Sequence, residues 1–513
     1  MKKLLLLGII LMTAKNGYSQ AGSLDSSFGT GGKVITSINS GSDIAYAVGL
    51  QSDGKIVVAG MTTNTSTGKD FACLRYNSNG TLDSSFGTNG IVTNDVQIGS
   101  DDVAYSLAIQ SDGKIILAGF SDDGSNKNAA MIRLNSNGTL DNTFGTSGKV
   151  LTDFITNRAD EIKTVKIHAL TGNIVVGGTS SLTSTNSQAV IARYTSAGLL
   201  DTTFNTTGKL LLDDASGAGT YFNIIEDLAV KSNGKISAVG WINQQGLQWS
   251  SNYYGCRVNS NGTLDTTFST DGYIVTNGGF NGDDKAFSLI LNSDDSILYA
   301  GGGHLSTLQY DYFLGLYDSA GATAVGKALF DYGSLVRDIS YGMGIDSTGK
   351  IVLTGSNVTS VTSSTFGIAR VNANYSVDTT FGTAGKVTTT FGTNTTNEAF
   401  DMVIQSDDKI IAVGYTGNDF AIARYNGNTL SNNEFDLNNQ LSLYPNPVKN
   451  QLTVDLLNNQ NEEIGTYQII DINGRIILRG SLSNGLNQVN VEDLSKGIYI
   501  LNAGSLNKKF VKE

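Results

Sequence analysis

Apolar and polar residues alternate along this chain in short runs, first at 44–50, 55–59, 71–76 and, after a longer turn, 91–94. A period of two in stretches rich in Val, Ile, Tyr and Phe predicts β-strands, because successive side chains of a strand point to opposite faces. Asp53-Gly54 separates the first two runs and suits the positive φ values of a tight hairpin, and Asn77-Ser78-Asn79-Gly80-Thr81 marks a second turn after the third. The unit then repeats. Its hairpin phrase Asp53-Gly54-Lys55-Ile56 returns as Asp112-Gly113-Lys114-Ile115, Thr171-Gly172-Asn173-Ile174, Asn233-Gly234-Lys235-Ile236, Asp294-Asp295-Ser296-Ile297, Thr348-Gly349-Lys350-Ile351 and Asp407-Asp408-Lys409-Ile410, with second residues 59, 59, 62, 61, 54 and 59 positions apart. A four-stranded unit of that length cannot bury its apolar face alone and must stack on copies of itself. The pattern predicts an all-β fold, a seven-bladed β-propeller.

A further strand phrase, Gly32-Lys33-Val34, recurs at Gly90, Gly148, Gly208, Gly272, Gly326 and Gly385. Its first copy precedes the first complete hairpin and the last unit has none. The N-terminal strand is therefore expected to complete the final blade, removing an open sheet edge.

Within the repeat, the third run carries Arg75, Arg133, Arg193, Arg257, Arg370 and Arg424, and eight residues after each of the first five stands Asp83, Asp141, Asp201, Asp265 or Asp378. The fifth repeat loses both partners together, with Leu316 and Ala324 in their places. Joint loss is what a direct ion pair predicts. Arg424 has no acid after it, while Asp25 in Leu24-Asp25-Ser26-Ser27-Phe28 has no arginine before it, so the two are expected to pair where the chain ends meet. Phe28, Phe86, Phe144, Phe204, Phe268 and Phe381 accompany these acids and are expected to wedge between blades.

The composition agrees with strands and turns: 61 Gly, 2 Pro and 16% charged residues in 513. A net charge of -12 without clustered Lys or Arg disfavours a nucleic-acid partner. Cys73 and Cys256 fall in corresponding strands of the first and fourth repeats, too far apart to bridge. Lys2 and Lys3, the apolar run 4–12 and the polar stretch to Ser19-Gln20 read as a signal peptide over 1–19, too short to span a bilayer, and no later stretch approaches a membrane helix. The expected domains are a propeller over 20–435, a linker at 436–440 and a C-terminal domain over 441–513.

The composite phrase Phe71-Ala72-Cys73-Leu74-Arg75-Tyr76-Asn77-Ser78-Asn79-Gly80, followed by Leu82-Asp83-Ser84-Ser85-Phe86-Gly87-Thr88, resembles the delta-60 repeat family over most of 23–435. That resemblance implies a secreted or surface propeller with no general catalytic assignment. Residues 316–328 lack the Leu-Asp-x-x-Phe phrase, so distortion is expected there. The tail, from Leu443-Tyr444-Pro445-Asn446-Pro447 through Asp471-Ile472-Asn473-Gly474-Arg475 and Gly497-Ile498-Tyr499-Ile500-Leu501 to Lys508, Lys509 and Lys512, resembles the type A sorting domain of the type IX secretion system, a small β-sandwich. It implies that this secretion machinery is a partner and that the domain is removed during surface attachment or release.

Candidate chemistry lies in the variable loops. Trp241, Gln244, Gln245, Gln248, Trp249, Tyr253 and Tyr254 offer aromatic faces and amides to a glycan, or cover a blade edge. Eleven residues before each hairpin glycine or its equivalent stand Asp43, Asp102, Glu161, Asn223, Asp284, Asp338 and Asn397. Lining one channel mouth, the five acids could share Ca²⁺; alternatively they accept backbone N–H bonds where the interblade loop turns. No other cofactor is expected. His168 aligns with core positions, and His304 has no nucleophile beside it. No catalytic residue is assigned. The sequence thus points to a monomeric, non-catalytic binding or scaffold module, with a polysaccharide-active enzyme using loop carboxylates as the alternative.

Overall fold

A computed structural model of the chain describes residues 20–183, 186–212, 221–244, 251–276, 283–306, 309–332, 337–360, 362–393, 396–428, 441–456, 466–471, 475–483, 485–503 and 506–513. The expected signal peptide and linker lie outside them. The chain divides into two compact bodies, 19–429 and a C-terminal one from 430 onwards.

In the larger body, β1 (Lys33–Thr36) precedes β2 (Asp43–Leu50), β3 (Ile56–Asn64), β4 (Gly68–Tyr76) and β5 (Ile91–Asn94). There follow β6 (Asp101–Ile109), β7 (Ile115–Asp122), β8 (Lys127–Leu134) and β9 (Lys149–Thr152); then β10 (Asp160–Ile167), β11 (Ile174–Thr183), β12 (Asn186–Tyr194) and β13 (Lys209–Leu212). The fourth group is β14 (Tyr221–Val230), β15 (Ile236–Gln244), β16 (Ser251–Val258) and β17 (Tyr273–Thr276), and the fifth is β18 (Lys285–Leu291), β19 (Ile297–Ser306), β20 (Gln309–Tyr317) and β21 (Thr323–Phe330). The last are β22 (Arg337–Ile345), β23 (Ile351–Ser360), β24 (Ser363–Val371) and β25 (Lys386–Thr389), then β26 (Asn397–Ile404), β27 (Ile410–Thr416) and β28 (Asp419–Tyr425).

Each group is an antiparallel quartet in sequence order, the third and fourth being joined by a single parallel pairing of Ser187 with Phe222. The last three strands take β1 as their fourth member, with Lys33 opposite Ala423 and Thr36 opposite Phe420. First strands lie side by side in chain order, β2 against β6, β10, β14, β18, β22 and β26 in succession, and β26 also lies against β2.

Alternation explains the core. Val58 on β3 packs into a cluster with Ile411, Val413 and Phe420 of the last quartet, whereas its neighbours Val57 and Ala59 join Ile115, Leu117 and Ile132 of the second. The strand is apolar throughout because both its faces are covered. Phe28, Phe86, Phe144, Phe204, Phe268 and Phe381 are all fully buried, each contributing roughly 1.5–3 kcal/mol through burial. Cys73 and Cys256 are free and buried, and burial pushes both thiols up to about 12.

The fifth quartet departs from the others as its missing phrase suggests. After the tight turn at Asp318–Gly321, β21 pairs with β20 at once, Thr323 opposite Tyr317, so the loop that carries the acid and Phe elsewhere is replaced by strand.

The C-terminal body contains β29 (Leu441–Tyr444), β30 (Gln451–Leu456), β31 (Tyr467–Asp471), β32 (Ile476–Gly480), β33 (Gly485–Asn490), β34 (Gly497–Ala503) and β35 (Leu506–Lys512). Sheets β29-β30-β33 and β32-β31-β34-β35 enclose a core that includes Leu452, Val454, Ile469, Val489, Leu501 and Phe510. Among the described residues no helix is long and apolar enough to cross a membrane.

Candidate functional site

In the first strand of every quartet the pairing with the second strand slips by one residue. The residues passed over are Tyr46, Tyr105, Lys163, Glu226, Phe287, Tyr341 and Phe400. Such a bulge re-aims a side chain. Its cause is legible opposite it: the second strands carry Gly60, Gly119, Gly178, Gly240, Gly301, Gly355 and Gly414, and a Cβ on any of them would lie 1.8–1.9 Å from the carbonyl oxygen two residues before the bulge. Only glycine lets the bulged strand approach this closely.

The seven side chains gather where the first strands meet. Ring centroids of Tyr105 and Tyr46 are 5.2 Å apart, Tyr46 and Phe400 5.2 Å, Phe400 and Tyr341 5.2 Å, and Tyr341 and Phe287 4.9 Å. This aromatic arc spans five quartets, and the other two supply Lys163 and Glu226. Lys163 Nζ lies 3.9 Å from the Tyr105 ring centroid and 2.6 Å from Glu161, which also takes Lys127 at 2.9 Å. Glu226 accepts the Trp241 indole N–H at 2.9 Å, and Lys285 Nζ sits 4.4 Å from the centroid of that indole. Burial raises Glu226 above the usual carboxylate range against the pull of Lys163. Burial acts likewise on Glu161, but Lys163 and Lys127 outweigh it and hold that carboxyl below its ordinary value. All seven bulge residues are half-buried.

Of the expected glycan platform, Trp241 belongs to this arrangement, while Tyr253 and Tyr254 do not. Both tyrosines are 1% exposed. Tyr253 stacks on Phe313 at 4.5 Å and donates to Gly302 O, so it is core rather than a surface for sugar. Gln245, Gln248 and Trp249, and the Gln244 side chain, lie outside the described residues.

The expected acid ring is also corrected. Asp43 is buried and accepts Ile38 N and Thr62 Oγ1; Asp102 accepts Val96 N and Ser100 Oγ; Asp338 accepts Tyr332 N; and Asn397 accepts Phe391 N. Asn223 and Asp284 are buried too. Asp43, Asp102, Asp338 and Asn397 thus anchor the loops entering their quartets. In the third quartet the anchor is Asp160, accepting Phe154 N at 2.7 Å, and not Glu161. The hairpin there is one residue longer, Gly172 N bonding His168 O where Gly54 N bonds Gln51 O, so counting back from the glycine misses by one. His168 accordingly lies in the turn, half-buried, with Thr171 Oγ1 and Ser232 O as partners, and not in the core.

Burial, with Asp153 beside it, pushes Asp160 up to about 7. A carboxyl that holds its proton better folded than unfolded stabilises fully at low pH and loses that contribution as pH rises from about 4 to about 7, by up to about 1.4 kcal/mol per pH unit. Thermal melts between pH 5 and 8 should show the decline, and Asp160→Asn, which keeps an acceptor for Phe154 N, should flatten it.

Arginines and acids meet along the quartet junctions. Nε of Arg75, Arg133, Arg193 and Arg370 lies 2.8 Å from Asp83, Asp141, Asp201 and Asp378, and Arg424 Nε lies 2.9 Å from Asp25. The fourth quartet differs: Arg257 donates to Ser319 O and Asp295 O, and Asp265 takes Lys235 instead. Each guanidinium caps the phenylalanine of its own phrase at 4.3–4.8 Å. Its Nη1 reaches a turn carbonyl of the next quartet, Ser136 from Arg75 and Ser78 from Arg424. The motif is a latch between sheets.

Residues 51–86, 110–144, 171–204, 231–268, 347–381 and 405–428 match the family described as Domain of unknown function (DUF5122) beta-propeller, and 442–513 match the Secretion system C-terminal sorting domain. The first set leaves out the fifth repeat, where β21 replaces the usual loop. No curated protein matches the chain. Similar solved structures include the WD40 β-propeller domain of Doa1, 12% identical over 79% of this chain and 96% of that one with a TM-score of 0.43. Others are PorZ, a surface component of the type-IX secretion system of Porphyromonas gingivalis, at 11% identity, 91% and 59% coverage and 0.39, and the polysaccharide lyase Uly1, at 9%, 74% and 90%, and 0.43.

Proposed function

The chain carries DUF5122 beta-propeller repeats and a secretion system C-terminal sorting domain, and from that premise we propose that its quartets close into a seven-bladed propeller exported by the type IX machinery to act as a non-catalytic binding module. The signal peptide is removed on the way, and the mature protein stays at the cell surface or is released. Its ligand site is the axial ring of bulge residues. The carrying observation is the unbroken arc Tyr105, Tyr46, Phe400, Tyr341 and Phe287. Half-buried aromatic faces stack on the apolar faces of sugar rings, and the flanking Lys127, Glu161, Glu226 and Lys285 suit hydroxyl groups, so the ligand class is a glycan.

A second reading, a polysaccharide-active enzyme, draws on one feature: Glu226 is raised and Glu161 lowered, the separation that acid and base carboxyls need. Against it, Glu161 is neutralised by two lysines and Glu226 is held by the Trp241 indole.

Chain recovered from the cell surface or medium of the producing cells should bind glycans in calorimetry. Phe400→Ala and Tyr341→Ala should each weaken binding about tenfold or more, a loss of about 1.4 kcal/mol. Binding unchanged in both variants would remove the ring from consideration. Product formation lost in Glu226→Gln would replace binding by catalysis.

A further inference from the structure

Where the first quartet hands over to the second, three carboxylates converge: Asp70 in β4, Asp95 just after β5 and Asp102 in β6, each offering an oxygen within 4.8 Å of the others. Asp70 is 4% exposed and Asp102 fully buried. Hydrogen bonds orient all three but leave an oxygen of Asp70 and one of Asp95 unsatisfied. Asp70 Oδ2 takes Thr67 Oγ1 at 2.8 Å, Asp95 Oδ2 takes Gly99 N at 3.0 Å, and Asp102 takes Val96 N and Ser100 Oγ. Asp70 Oδ1 and Asp95 Oδ1 are buried with no hydrogen-bond partner in the protein. Lys149 Nζ approaches the same crossing, but it donates to the main-chain carbonyls of Asp95 and Val96.

Buried like charges with orphaned oxygens are unfavourable unless a proton or a cation is shared between them, and the mutual effect is visible in Asp70 and Asp102, both raised first by burial and further by Asp95. An all-carboxylate oxygen set suits a hard cation of flexible coordination, which is Ca²⁺ rather than zinc or copper.

The constellation recurs. Phe71 pairs with Asn94, which places Asp70 and Asp95 at one end of that pairing; Tyr312 pairs with Phe330 in the fifth quartet, which places Asp311 and Asp331 likewise. With Asp338 from the sixth quartet they form a second cluster of the same span. The crossing from the second to the third quartet has the amide of Asn128 in the place of Asp70, beside Asp153 and Asp160.

We propose that Asp70, Asp95 and Asp102 bind Ca²⁺ and so join the first two sheets. Full-length chain stripped with EGTA and titrated with Ca²⁺ should bind it in calorimetry, and Ca²⁺ should raise its melting temperature. Asp95→Asn should remove that binding, and Asp153→Asn should keep it. Because it relieves like-charge repulsion, Asp95→Asn should melt no lower than wild type in EGTA yet lower than wild type in Ca²⁺, an inversion that a merely misfolded variant cannot produce. Wild type without Ca²⁺ heat or melting shift, or Asp95→Asn with its Ca²⁺ binding intact, would overturn the assignment.

Discussion

Gly119→Ala is expected to destabilise the protein by about 3 kcal/mol and to take Tyr105 out of its contact with Tyr46. The new Cβ would lie 1.8 Å from Val103 O, a main-chain atom within a sheet that cannot rotate aside. Overpacking of this kind costs about 1–3 kcal/mol, and the upper end applies because no flexible side chain can yield. The available relief is to flatten the bulge between Ala104 and Ser106, which re-registers the strand and moves every side chain on one side of it to the opposite face. Denaturant unfolding of Gly119→Ala beside Gly255→Ala isolates the cause. Gly255 also lies in a strand, but the nearest atom to its would-be Cβ is a Tyr317 ring carbon at 3.4 Å, so about 1 kcal/mol or less is expected there. Equal costs at the two positions would mean that the bulge does not require its glycine.

At the junction of the last and first quartets, Asp25→Ala should cost roughly 3–5 kcal/mol and Arg424→Ala somewhat less. Their side chains are 9% and 6% exposed, with Nη2 and Asp25 Oδ2 2.9 Å apart. Removing the acid strands a buried guanidinium over Phe28 with only Ser27 Oγ and Ser78 O. Removing the arginine leaves Asp25 with Lys409 at 3.5 Å, which still neutralises part of its charge. Burial raises the Asp25 carboxyl, yet Ser27, Arg424 and Lys409 together hold it below its ordinary value, so its ionised form is the one the site is built for. The double variant should fall short of the sum of the singles by about 0.5–3 kcal/mol in denaturant unfolding, as for any directly coupled pair. Strict additivity would show that the two residues act independently.

Most latch pairs within a repeat were legible because they are local, although Arg257 and Asp265, at the same spacing, take other partners. Arg75 and Asp83 are separated by one turn, and turn and spacing recur in nearly every repeat, so sequence distance stands in for spatial distance. The same logic failed for Glu161, where one additional residue in the hairpin at 168–172 shifts the count and gives Asp160 the anchoring role. Tyr253 and Tyr254 were misjudged for another reason: β16 is covered on both faces, and composition near a loop does not reveal that. The bulge ring left a sequence signal that went unused. A glycine interrupts each second strand, as in Val58-Ala59-Gly60-Met61 and Leu117-Ala118-Gly119-Phe120, and a glycine within a strand often marks a bulge.

What the sequence by itself determined was the repeating strand pattern, the turns and the membership of each quartet, because period-two alternation, turn chemistry and a fixed spacing act over a few residues. Only the tertiary structure decided which bulge side chains meet across the first strands and which carboxylates share a crossing. Those neighbours come from different repeats, and the one-residue slips that aim them arise from pairing between strands, where the closeness of two backbones, and not the identity of either residue alone, sets the geometry.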